Sequence, residues 1–567
     1  MSSGWARSLL RFFAAGGVRD VVTSPGARSA PLAFAAERTP DLRVHPIVDE
    51  RSASFFALGI ARATGVPPLV VCTSGTAGGH ALPAVLEADR SNLPLIVVTA
   101  DRPPELHDCG APQTVDQVGL FGRHVRHFVD LGPPDPATQG SLARVAAQCV
   151  LASRWPTPGP VHVNARFRDP LAVSELGPTQ DAPLDVFVPR SAPSEVALDA
   201  LEAAVRSSER GLIACGAAHS PAVDAPRLAA LCGYPIFAEA TSQLRRLDGP
   251  FCPGLDAILR APAFRSGHVP ELVLQIGMPP ISAGWSAALD DWRRSRRFVV
   301  SAHGWPDPAG NAAMVIADPS DVVAALADRL ARRRPFVRRS SEWLDEFERA
   351  DEIAWVEVAR VLDRRDGLVE GHVARAVAAA LPAGSLLALG SSLPLRDIDT
   401  FARALHPSVR VLHQRGANGI DGLVAAASGA QVASGRPVTL LCGDLSLLHD
   451  VGSLALAARA PGPLVIVVVQ NGGGRIFDEL PFGCPPASLE RCFTMPHGLD
   501  LSHAAALFGL AHARVDAPGA LERALAAAEE RRGATLIEAL VDPAQSSAAR
   551  RAVWAGVAAR LESLVRE

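Results

Sequence analysis

The chain has 567 residues, too many for one hydrophobic core, and this length predicts three or four domains. Its composition is 48% hydrophobic and 20% charged, which is typical of a globular protein. The formal net charge of -4 gives no electrostatic basis for binding nucleic acid or an anionic membrane. The longest apolar runs, such as PLVIVVV, have the length of a strand and are too short to cross a bilayer.

All 55 basic residues are arginine, because the sequence contains no lysine. A Walker A phosphate loop requires a lysine, and so do Schiff-base and pyridoxal-phosphate enzymes. The sequence therefore excludes these classes. The nine cysteines form no C-x-x-C pair, and several lie in apolar runs. We expect reduced and mostly buried thiols rather than disulfides or a zinc site.

The N-terminal segment MSSGWARSLLRFFAAGG has two charged residues, Arg7 and Arg11, within its apolar stretch. These charges do not fit the apolar region of a signal peptide or a transmembrane helix. We expect this segment to be the first helix of a cytoplasmic protein that does not insert into membranes.

Three successive segments repeat one pattern: a short apolar strand, a turn containing Gly, Ser or Asp, and an Ala-rich helix. The apolar runs are continuous rather than alternating, which indicates strands buried on both faces, as in parallel sheets. The pattern predicts an α/β protein with three doubly wound parallel-sheet domains. The predicted strands lie in VRDVVTSPGARS, RVHPIVDE, PLVVCTSGTAGG and PLIVVTADRPPE; in GLIACGAA, YPIFAEAT, ELVLQIG, RRFVVSAHG and AAMVIADP; and in SLLALGSS, VRVLHQRG, PVTLLCGD, PLVIVVVQNGGG and TLIEALVD.

Two polar segments separate the predicted domains. The first, 177–195, is rich in proline, and the second, 329–352, begins with an arginine cluster that later Glu and Asp residues balance. We interpret the second as a solvated linker helix rather than a nucleic-acid site. The predicted domains are therefore 1–180, 190–335 and 350–567. Ligands of such sheets bind beyond the carboxyl ends of the strands, so the turns after the strands are the candidate sites.

An acidic residue, Asp444, directly follows an apolar predicted strand in LLCGDLSLLHD, and Asn471 follows the next strand in VVVQNGGGRIF. One crossover helix would bring these two strand ends side by side. An Asp carboxylate, an Asn amide oxygen and a backbone carbonyl suit Mg²⁺, which takes phosphate oxygens and water as its other ligands. The glycines allow the backbone to approach a phosphate closely. We predict a metal–diphosphate site here; the alternative is a helix cap followed by a loose turn.

This spacing, G-D followed by about 26 residues and an Asn, resembles the signature of thiamine-diphosphate (ThDP) enzymes. The GDLS variant resembles the family of 2-succinyl-5-enolpyruvyl-6-hydroxy-3-cyclohexene-1-carboxylate (SEPHCHC) synthases of menaquinone biosynthesis. The resemblance covers nearly the whole chain, is weak in the middle domain, and implies pyrimidine-binding and diphosphate-binding domains on either side of a central domain. The matching motifs are TSPGARSAPL, DERSASFFALG, TSGTA, TADRPPEL, CGAPQTVDQ, RGANGIDG, GDLSLLHD, NGGGRIF and MPHGLD.

The resemblance implies ThDP as the cofactor and Mg²⁺ as the metal, with Mn²⁺ as an alternative ion. The implied metal ligands are Asp444, Asn471 and Gly473. The residues implied to contact the cofactor are Glu50, Ser391, Ile420, Asp444, Leu445, Ser446, Asn471, Gly473 and Ile476.

Within the implied set, Glu50 matches the family's activating glutamate, which hydrogen-bonds N1′ of the aminopyrimidine. The alternative for an acidic residue at a helix start is a simple interaction with the helix dipole. Because Glu50 and Asp444 lie in different predicted domains, the resemblance implies a homodimer or homotetramer with the active site at the subunit interface.

The resemblance also implies substrates: the family condenses 2-oxoglutarate with isochorismate and releases CO₂. The pocket then has to bind several carboxylates, for which arginine is well suited because it pairs with them in bidentate geometry. An isolated arginine is otherwise an ordinary surface residue. The implied substrate-binding residues are Arg28, Arg102, Gln113, Arg396 and Arg415.

Three residues depart from the family pattern: Ala27 stands in place of a serine, Pro112 in place of an asparagine and Ala283 in place of a lysine. These changes bear on substrate affinity and leave the cofactor residues intact. Two alternatives stay open. One is another ThDP-dependent 2-oxo acid decarboxylase or acetolactate-synthase-like ligase, which the arginine set disfavours. The other is a degenerate ThDP-fold binding protein, which the three departures favour slightly and the intact Glu50, Asp444 and Asn471 disfavour.

Overall fold

A computed structural model of the chain describes residues 2–171, 182–189, 191–218, 221–245, 248–332 and 341–566. These residues form three separate parallel sheets, as the continuous apolar runs predicted. No helix within the described ranges is long and apolar enough to cross a membrane.

The N-terminal domain contains the strands β1 (Asp20–Thr23), β2 (Arg43–Pro46), β3 (Leu69–Cys72), β4 (Leu95–Asp101), β5 (His127–Leu131) and β6 (Pro160–Arg166). They pair in the order β2-β1-β3-β4-β6-β5. The first four strands confirm the prediction, whereas β5 and β6 were not predicted, because β5 is a half-exposed edge strand and β6 carries polar residues. The helices are α1 (Ser2–Ala15), α2 (Ala30–Glu37), α3 (Glu50–Thr64), α4 (Ala77–His80), α5 (Leu82–Ser91) and α6 (Pro136–Arg154).

The middle domain contains the strands β7 (Gly211–Cys215), β8 (Ile236–Ala238), β9 (Leu272–Ile276), β10 (Arg296–Ser301) and β11 (Ala313–Ile316). They pair in the order β11-β10-β9-β7-β8, and all five confirm the prediction. Their helices are α7 (Glu195–Ser207), α8 (Ala225–Cys232), α9 (Leu255–Arg260), α10 (Pro262–Gly267), α11 (Ala283–Asp291) and α12 (Pro319–Arg332).

The C-terminal domain contains the strands β12 (Leu386–Leu389), β13 (Arg410–His413), β14 (Val438–Gly443), β15 (Leu464–Gln470), β16 (Ala511–Val515) and β17 (Ala534–Leu540). They pair in the order β13-β12-β14-β15-β17-β16. The half-exposed edge strand β16 was not predicted. The helices are α13 (Ser341–Leu362), α14 (Glu370–Ala380), α15 (Leu393–Phe401), α16 (Leu423–Ser434), α17 (Asp444–His449), α18 (Leu454–Ala457), α19 (Pro486–Leu489), α20 (Ser502–Phe508), α21 (Pro518–Glu529) and α22 (Pro543–Arg566).

Helix α13 differs from the solvated linker helix predicted within 329–352. Its Trp343, Phe347 and Ala350 are buried in the core that joins the middle and C-terminal domains. The prediction of a solvated helix was wrong for the buried side of α13. Apolar residues recur there at helical spacing between the charged residues and form a stripe that packs into the core. Residues 333–340, and 172–181 next to the other predicted separator, lie outside the described residues. The predicted domain boundaries stay predictions.

Helices α3 and α16 join the N-terminal and C-terminal domains of the chain. A Cβ on Gly59 would overlap the carbonyl oxygen of Ala426, and a Cβ on Gly429 would overlap that of Phe56. The two helices therefore pack backbone against backbone, which only glycine permits at these two positions. Next to the start of α3, the Arg51 side chain donates to the His449 carbonyl oxygen at 3.0 Å.

Candidate functional site

The ends of β14 and β15 lie side by side, as their single crossover predicted. The parallel pairing matches Gly443 with Val469, so Asp444 and Asn471 follow directly after adjacent paired strands. Asp444 is the first residue of α17 and is buried. The carboxyl edge of the third sheet thus brings together the two residues that the sequence singled out.

The Asp444 carboxylate is held by its surroundings. Its Oδ1 accepts from the Leu445 backbone N–H at 2.7 Å, and its Oδ2 accepts from the Gly473 N–H at 2.8 Å. The imidazole Nε2 of His497 lies 3.4 Å from Oδ2. His497 was not predicted as a site residue, although its motif MPHGLD was recognised. These contacts fix one carboxylate at the mouth of the glycine turn.

The Asn471 side chain has one satisfied end and one open end. Its Nδ2 donates to Glu370 Oε1 at 2.7 Å. Its Oδ1 is buried and has no hydrogen-bond partner among the described residues. Leaving a buried acceptor unpaired costs about 1–3 kcal/mol, so this oxygen is suited to a ligand such as a cation.

The glycine turn after β15 passes close to its neighbours. Gly473 has a φ of 118°, and a Cβ there would overlap the Thr494 carbonyl oxygen. The Gly473 carbonyl accepts from the Arg475 N–H at 2.9 Å and keeps a second lone pair. The Ser391 hydroxyl is buried and has no partner in the described part of the chain. A carboxylate, an open amide oxygen, a backbone carbonyl and a free hydroxyl together fit Mg²⁺ and a diphosphate.

A cavity of about 470 Å³ opens beside these groups, a size within the usual range for small-molecule sites. All of its described lining residues come from the C-terminal domain except Ile281, which the middle domain supplies. The predicted residues that line it are Ser391, Arg396, Arg415, Ile420, Asp444, Leu445, Ser446, Asn471, Gly473 and Ile476. Ile281 was not predicted, and the sequence gives no signal for it.

Two arginines, Arg396 and Arg415, line this cavity. Burial lowers the pKa of Arg396, and the nearby charge of Arg415 lowers it further. The Arg396 guanidinium nevertheless stays charged, because an arginine pKa lies far above neutrality. Arg396 Nη1 donates to the Ser392 carbonyl at 2.8 Å, while Arg415 pairs with Glu239 of the middle domain. The cavity wall therefore carries two guanidinium groups that can bind an anionic ligand, beside the carboxylates of Asp397 and Asp444.

The predicted site residues of the N-terminal domain lie away from this cavity. Arg28 donates to the Phe167 carbonyl at 2.8 Å and lies 3.3 Å from Asp169. Burial lowers the pKa of Arg102, and the charge of Arg28 also contributes, so these two guanidinium groups are neighbours.

Gln113 and Glu50 are the other two predicted residues of the N-terminal domain. Gln113 Nε2 donates to the Ser74 carbonyl at 3.0 Å. Glu50 is the first residue of α3, directly after the N-cap Asp49. None of the four N-terminal residues lines the cavity at Asp444. One chain therefore does not bring the predicted residues of its N-terminal domain into the site at Asp444.

The three departures from the family pattern have separate positions. Ala27 and Pro112 are exposed in the N-terminal domain. Ala283 begins α11, after the N-cap Ser282, whose hydroxyl donates to Asp256 Oδ1 at 2.6 Å. Ser282 and Ala283 line a second cavity of about 270 Å³, which shares Arg396 with the first.

The sequence and fold are similar to those of known proteins. Residues 5–120 match the thiamine pyrophosphate enzyme, N-terminal TPP binding domain, and residues 402–539 match the C-terminal TPP binding domain. Two similar curated proteins are each named 2-succinyl-5-enolpyruvyl-6-hydroxy-3-cyclohexene-1-carboxylate synthase. The one from Sorangium cellulosum is 50% identical, covering 98% of this chain and 95% of its own length. The one from Myxococcus xanthus is 42% identical, covering 98% and 97%.

A solved structure supports the fold independently. The X-ray structure assigned as a thiamin diphosphate-dependent enzyme from Mycobacterium smegmatis superimposes with a TM-score of 0.71. It covers 96% of this chain and 99% of that one at 21% sequence identity. At this identity the likeness establishes a common three-domain architecture.

Proposed function

The chain belongs to the SEPHCHC synthase family of thiamine-diphosphate-dependent enzymes of menaquinone biosynthesis, and on this premise we propose that it joins 2-oxoglutarate to isochorismate with release of CO₂. The observation that carries the proposal is the pair Asp444 and Asn471 at adjacent strand ends, in a cavity that also contains Arg396 and Arg415. From the family we also infer a cytoplasmic location.

The proposed metal is Mg²⁺, with Mn²⁺ as an alternative. Asp444, Asn471 and Gly473 would hold it through a carboxylate, an amide oxygen and a carbonyl. The residues that would contact ThDP in the same chain are Ser391, Ile420, Leu445, Ser446 and Ile476, all of which line the cavity. When bound, ThDP supplies an electron sink for the pair of electrons left when CO₂ departs.

The two arginines of the cavity account for the choice of substrates. A carboxylate left unpaired in a pocket is costly, whereas one placed between Arg396 and Arg415 also relieves the repulsion between them. A guanidinium has five N–H donors, so Arg396 and Arg415 keep donors for a carboxylate beyond those that Ser392 and Glu239 accept. Ile281 and Ile420 supply an apolar part of the cavity wall, which would limit the access of water to a bound ligand. The chain thus orients its acidic substrates chiefly through charge, and proximity contributes to the rate.

We propose that a second copy of the chain completes the site. Its Glu50 would hydrogen-bond the aminopyrimidine, and its Arg28, Arg102 and Gln113 would contact the substrates. One chain keeps this group away from the cavity at Asp444, which supports a site shared between two copies.

The rim of the cavity also suits a subunit interface. Three large apolar residues of the segment that follows the glycine turn, Phe482, Phe493 and Met495, are 45%, 38% and 57% exposed. Phe482 and Phe493 stack on each other at 4.9 Å between ring centroids. Grouped exposed apolar side chains are typical of interaction surfaces, so we propose a homodimer, with a homotetramer as the higher assembly.

The direct test is incubation of the protein with ThDP, Mg²⁺, 2-oxoglutarate and isochorismate. Release of CO₂ and loss of isochorismate are followed together, and we expect equal amounts of both. Pyruvate is the control donor, and we expect it to react poorly because its methyl group cannot accept the hydrogen bonds that an arginine would donate to the distal carboxylate of 2-oxoglutarate. Equal use of pyruvate, with no requirement for isochorismate, would instead indicate a general 2-oxo acid decarboxylase or ligase.

A further inference from the structure

Glu370 is the first residue of α14 and lies far from the strand-end motif in the sequence, yet it contacts the proposed metal ligand Asn471. We propose that Glu370, itself held by Arg550 of α22, is a positioning residue that presents Asn471 Oδ1 to the divalent cation and so determines the metal affinity. This inference rests on the proposed metal site. Glu370 does not line the cavity, so it acts through Asn471 rather than on a ligand.

The orientation of an asparagine amide is set by what its two ends contact. The oxygen only accepts hydrogen bonds, and the NH₂ group only donates them. A carboxylate oxygen of Glu370 lies 2.7 Å from Asn471 Nδ2 and selects the orientation in which the NH₂ group points to it. The amide oxygen then points away and is the buried acceptor that has no partner among the described residues. In the reverse orientation two oxygens would face each other, and an NH₂ group would face the cation.

Glu370 is fixed in turn by the C-terminal helix. Its other carboxylate oxygen, Oε2, accepts from Arg550 Nη2. The same guanidinium donates to Asp397 Oδ1 at 2.8 Å and lies 3.3 Å from Glu479 Oε1. Both Glu370 and Arg550 are buried. A buried guanidinium shared by several carboxylates keeps the Glu370 side chain in one rotamer and offsets its charge.

Carboxylates that orient metal ligands in this way are a general feature of metal sites. Their replacement commonly lowers metal affinity by about 10–100-fold. Here the carboxylate acts on an asparagine, whose two ends are alike in shape and opposite in chemistry. The sequence motif around Asn471 therefore supplies the ligand, while α14 and α22 determine which of its atoms is presented.

The test compares Glu370→Gln with the wild-type protein. The Arg550 guanidinium only donates hydrogen bonds, so the new glutamine turns its amide oxygen toward Arg550 and leaves its NH₂ group facing Asn471. Asn471 then turns its oxygen toward position 370 and its NH₂ group toward the cation. We expect the Mg²⁺ concentration that half-saturates ThDP binding to rise about 10–100-fold. Titration calorimetry of ThDP at a series of Mg²⁺ concentrations measures this without turnover.

A second change separates orientation from general damage. An aspartate at position 471 has two equivalent oxygens, so it can accept from the amide introduced at position 370 and still bind the cation. We expect the double variant Glu370→Gln, Asn471→Asp to recover much of the Mg²⁺ affinity that Glu370→Gln loses. The matched control is Glu479→Gln, because Glu479 also contacts Arg550 and does not contact Asn471. The half-saturating Mg²⁺ concentration of this control should stay that of the wild type.

Thermal unfolding without metal or cofactor shows whether each variant folds. If Glu370→Gln does not fold, Glu370→Ala replaces it. This variant should raise the half-saturating Mg²⁺ concentration less strongly, because it leaves both orientations of the Asn471 amide open and does not favour the wrong one. An unchanged Mg²⁺ requirement in the folded variant, while Asp444→Ala loses ThDP binding, overturns this inference alone. If Asp444→Ala also keeps its Mg²⁺ requirement, the proposed metal site itself is wrong.

Discussion

Arg415 and Glu239 form an ion pair across the boundary between the C-terminal and middle domains. Both side chains are largely buried, and Glu239 Oε2 also accepts from the Ile281 backbone N–H at 2.9 Å. Because Ile281 and Arg415 both line the cavity, one carboxylate of the middle domain positions a charged and an apolar part of the site.

The first prediction concerns this ion pair. Glu239→Gln keeps the shape of the side chain and removes the charge that orients the Arg415 guanidinium. We expect kcat/KM for the acidic substrates to fall about tenfold, which corresponds to about 1.4 kcal/mol. Steady-state kinetics with each substrate varied in turn measures this. The control is Glu195→Gln, which breaks the exposed pair with Arg329 and should leave the kinetics unchanged. Equal kinetics for both variants would show that Arg415 needs no support from Glu239.

The second prediction concerns the two arginines themselves. Arg396→Ala and Arg415→Ala each remove hydrogen bonds to a substrate carboxylate, which are worth about 1.5–3 kcal/mol. We expect kcat/KM for 2-oxoglutarate or isochorismate to fall about tenfold to more than a hundredfold. Pyruvate used as a donor should lose much less. A similar loss with pyruvate and 2-oxoglutarate would argue against carboxylate recognition by these residues.

The third prediction concerns the metal. Asp444→Ala removes the only carboxylate among the proposed ligands, so the diphosphate loses the cation that binds it. We expect ThDP binding measured by calorimetry to be lost in the presence of Mg²⁺. Unfolding of the cofactor-free variant gives the structural control. Unchanged ThDP affinity would refute the metal assignment.

The fourth prediction tests the shared site. Glu50→Gln should lower turnover by about 10²–10⁴-fold, the scale of a lost proton-transfer group, with near-normal folding. A mixture of inactive Glu50→Gln and Asp444→Ala chains, unfolded and refolded together, should regain part of the wild-type activity, because mixed dimers contain one site with both residues intact.

The control for this mixing experiment is refolding of each variant alone. No recovery in the mixture, although mixed dimers form, would show that Glu50 and Asp444 serve the same chain's site. Full activity of Glu50→Gln alone would show that Glu50 has no catalytic role and only interacts with the dipole of α3.

The fifth prediction concerns pH and stability. Burial raises the pKa of Asp351 from 3.8 to about 6, although its Oδ1 accepts from the Gly254 N–H at 2.7 Å. Since the folded protein holds this proton more tightly than the unfolded chain, the carboxyl group lowers the free energy of unfolding as pH rises through this window. Asp351→Asn cannot ionise. The free energy of unfolding of the Asp351→Asn variant, measured relative to that of the wild type, should therefore rise by about 1–3 kcal/mol between pH 4 and pH 7.

Urea unfolding of both proteins at the two pH values measures this difference. A stability difference that does not change with pH would show that Asp351 ionises equally easily in the folded and unfolded chains.

The sequence predicted those structural features that arise from segments close together along the chain. Asp444 and Asn471 could be paired because two apolar strands with one crossover leave little freedom in where their ends lie. Glu370 and Glu239 could not be predicted, because they reach Asn471 and Arg415 through tertiary packing and belong to no motif. The edge strands β5 and β16 were missed for a different reason: strands with one exposed face lack the continuous apolar run that marks the buried ones.

The glycine contacts between α3 and α16 have a mechanical consequence. Helix α3 begins with Glu50, and α16 follows the turn that carries Ile420. In the proposed dimer these two residues would belong to different active sites, so one rigid joint would connect the two sites. With Gly59 and Gly429 packed against backbone carbonyl oxygens, the helices cannot slide without separating. A ligand that displaces one end of either helix would therefore move both helices together. In the proposed dimer, ligand binding at one active site would then alter ligand binding at the other, through the protomer that contributes residues to both.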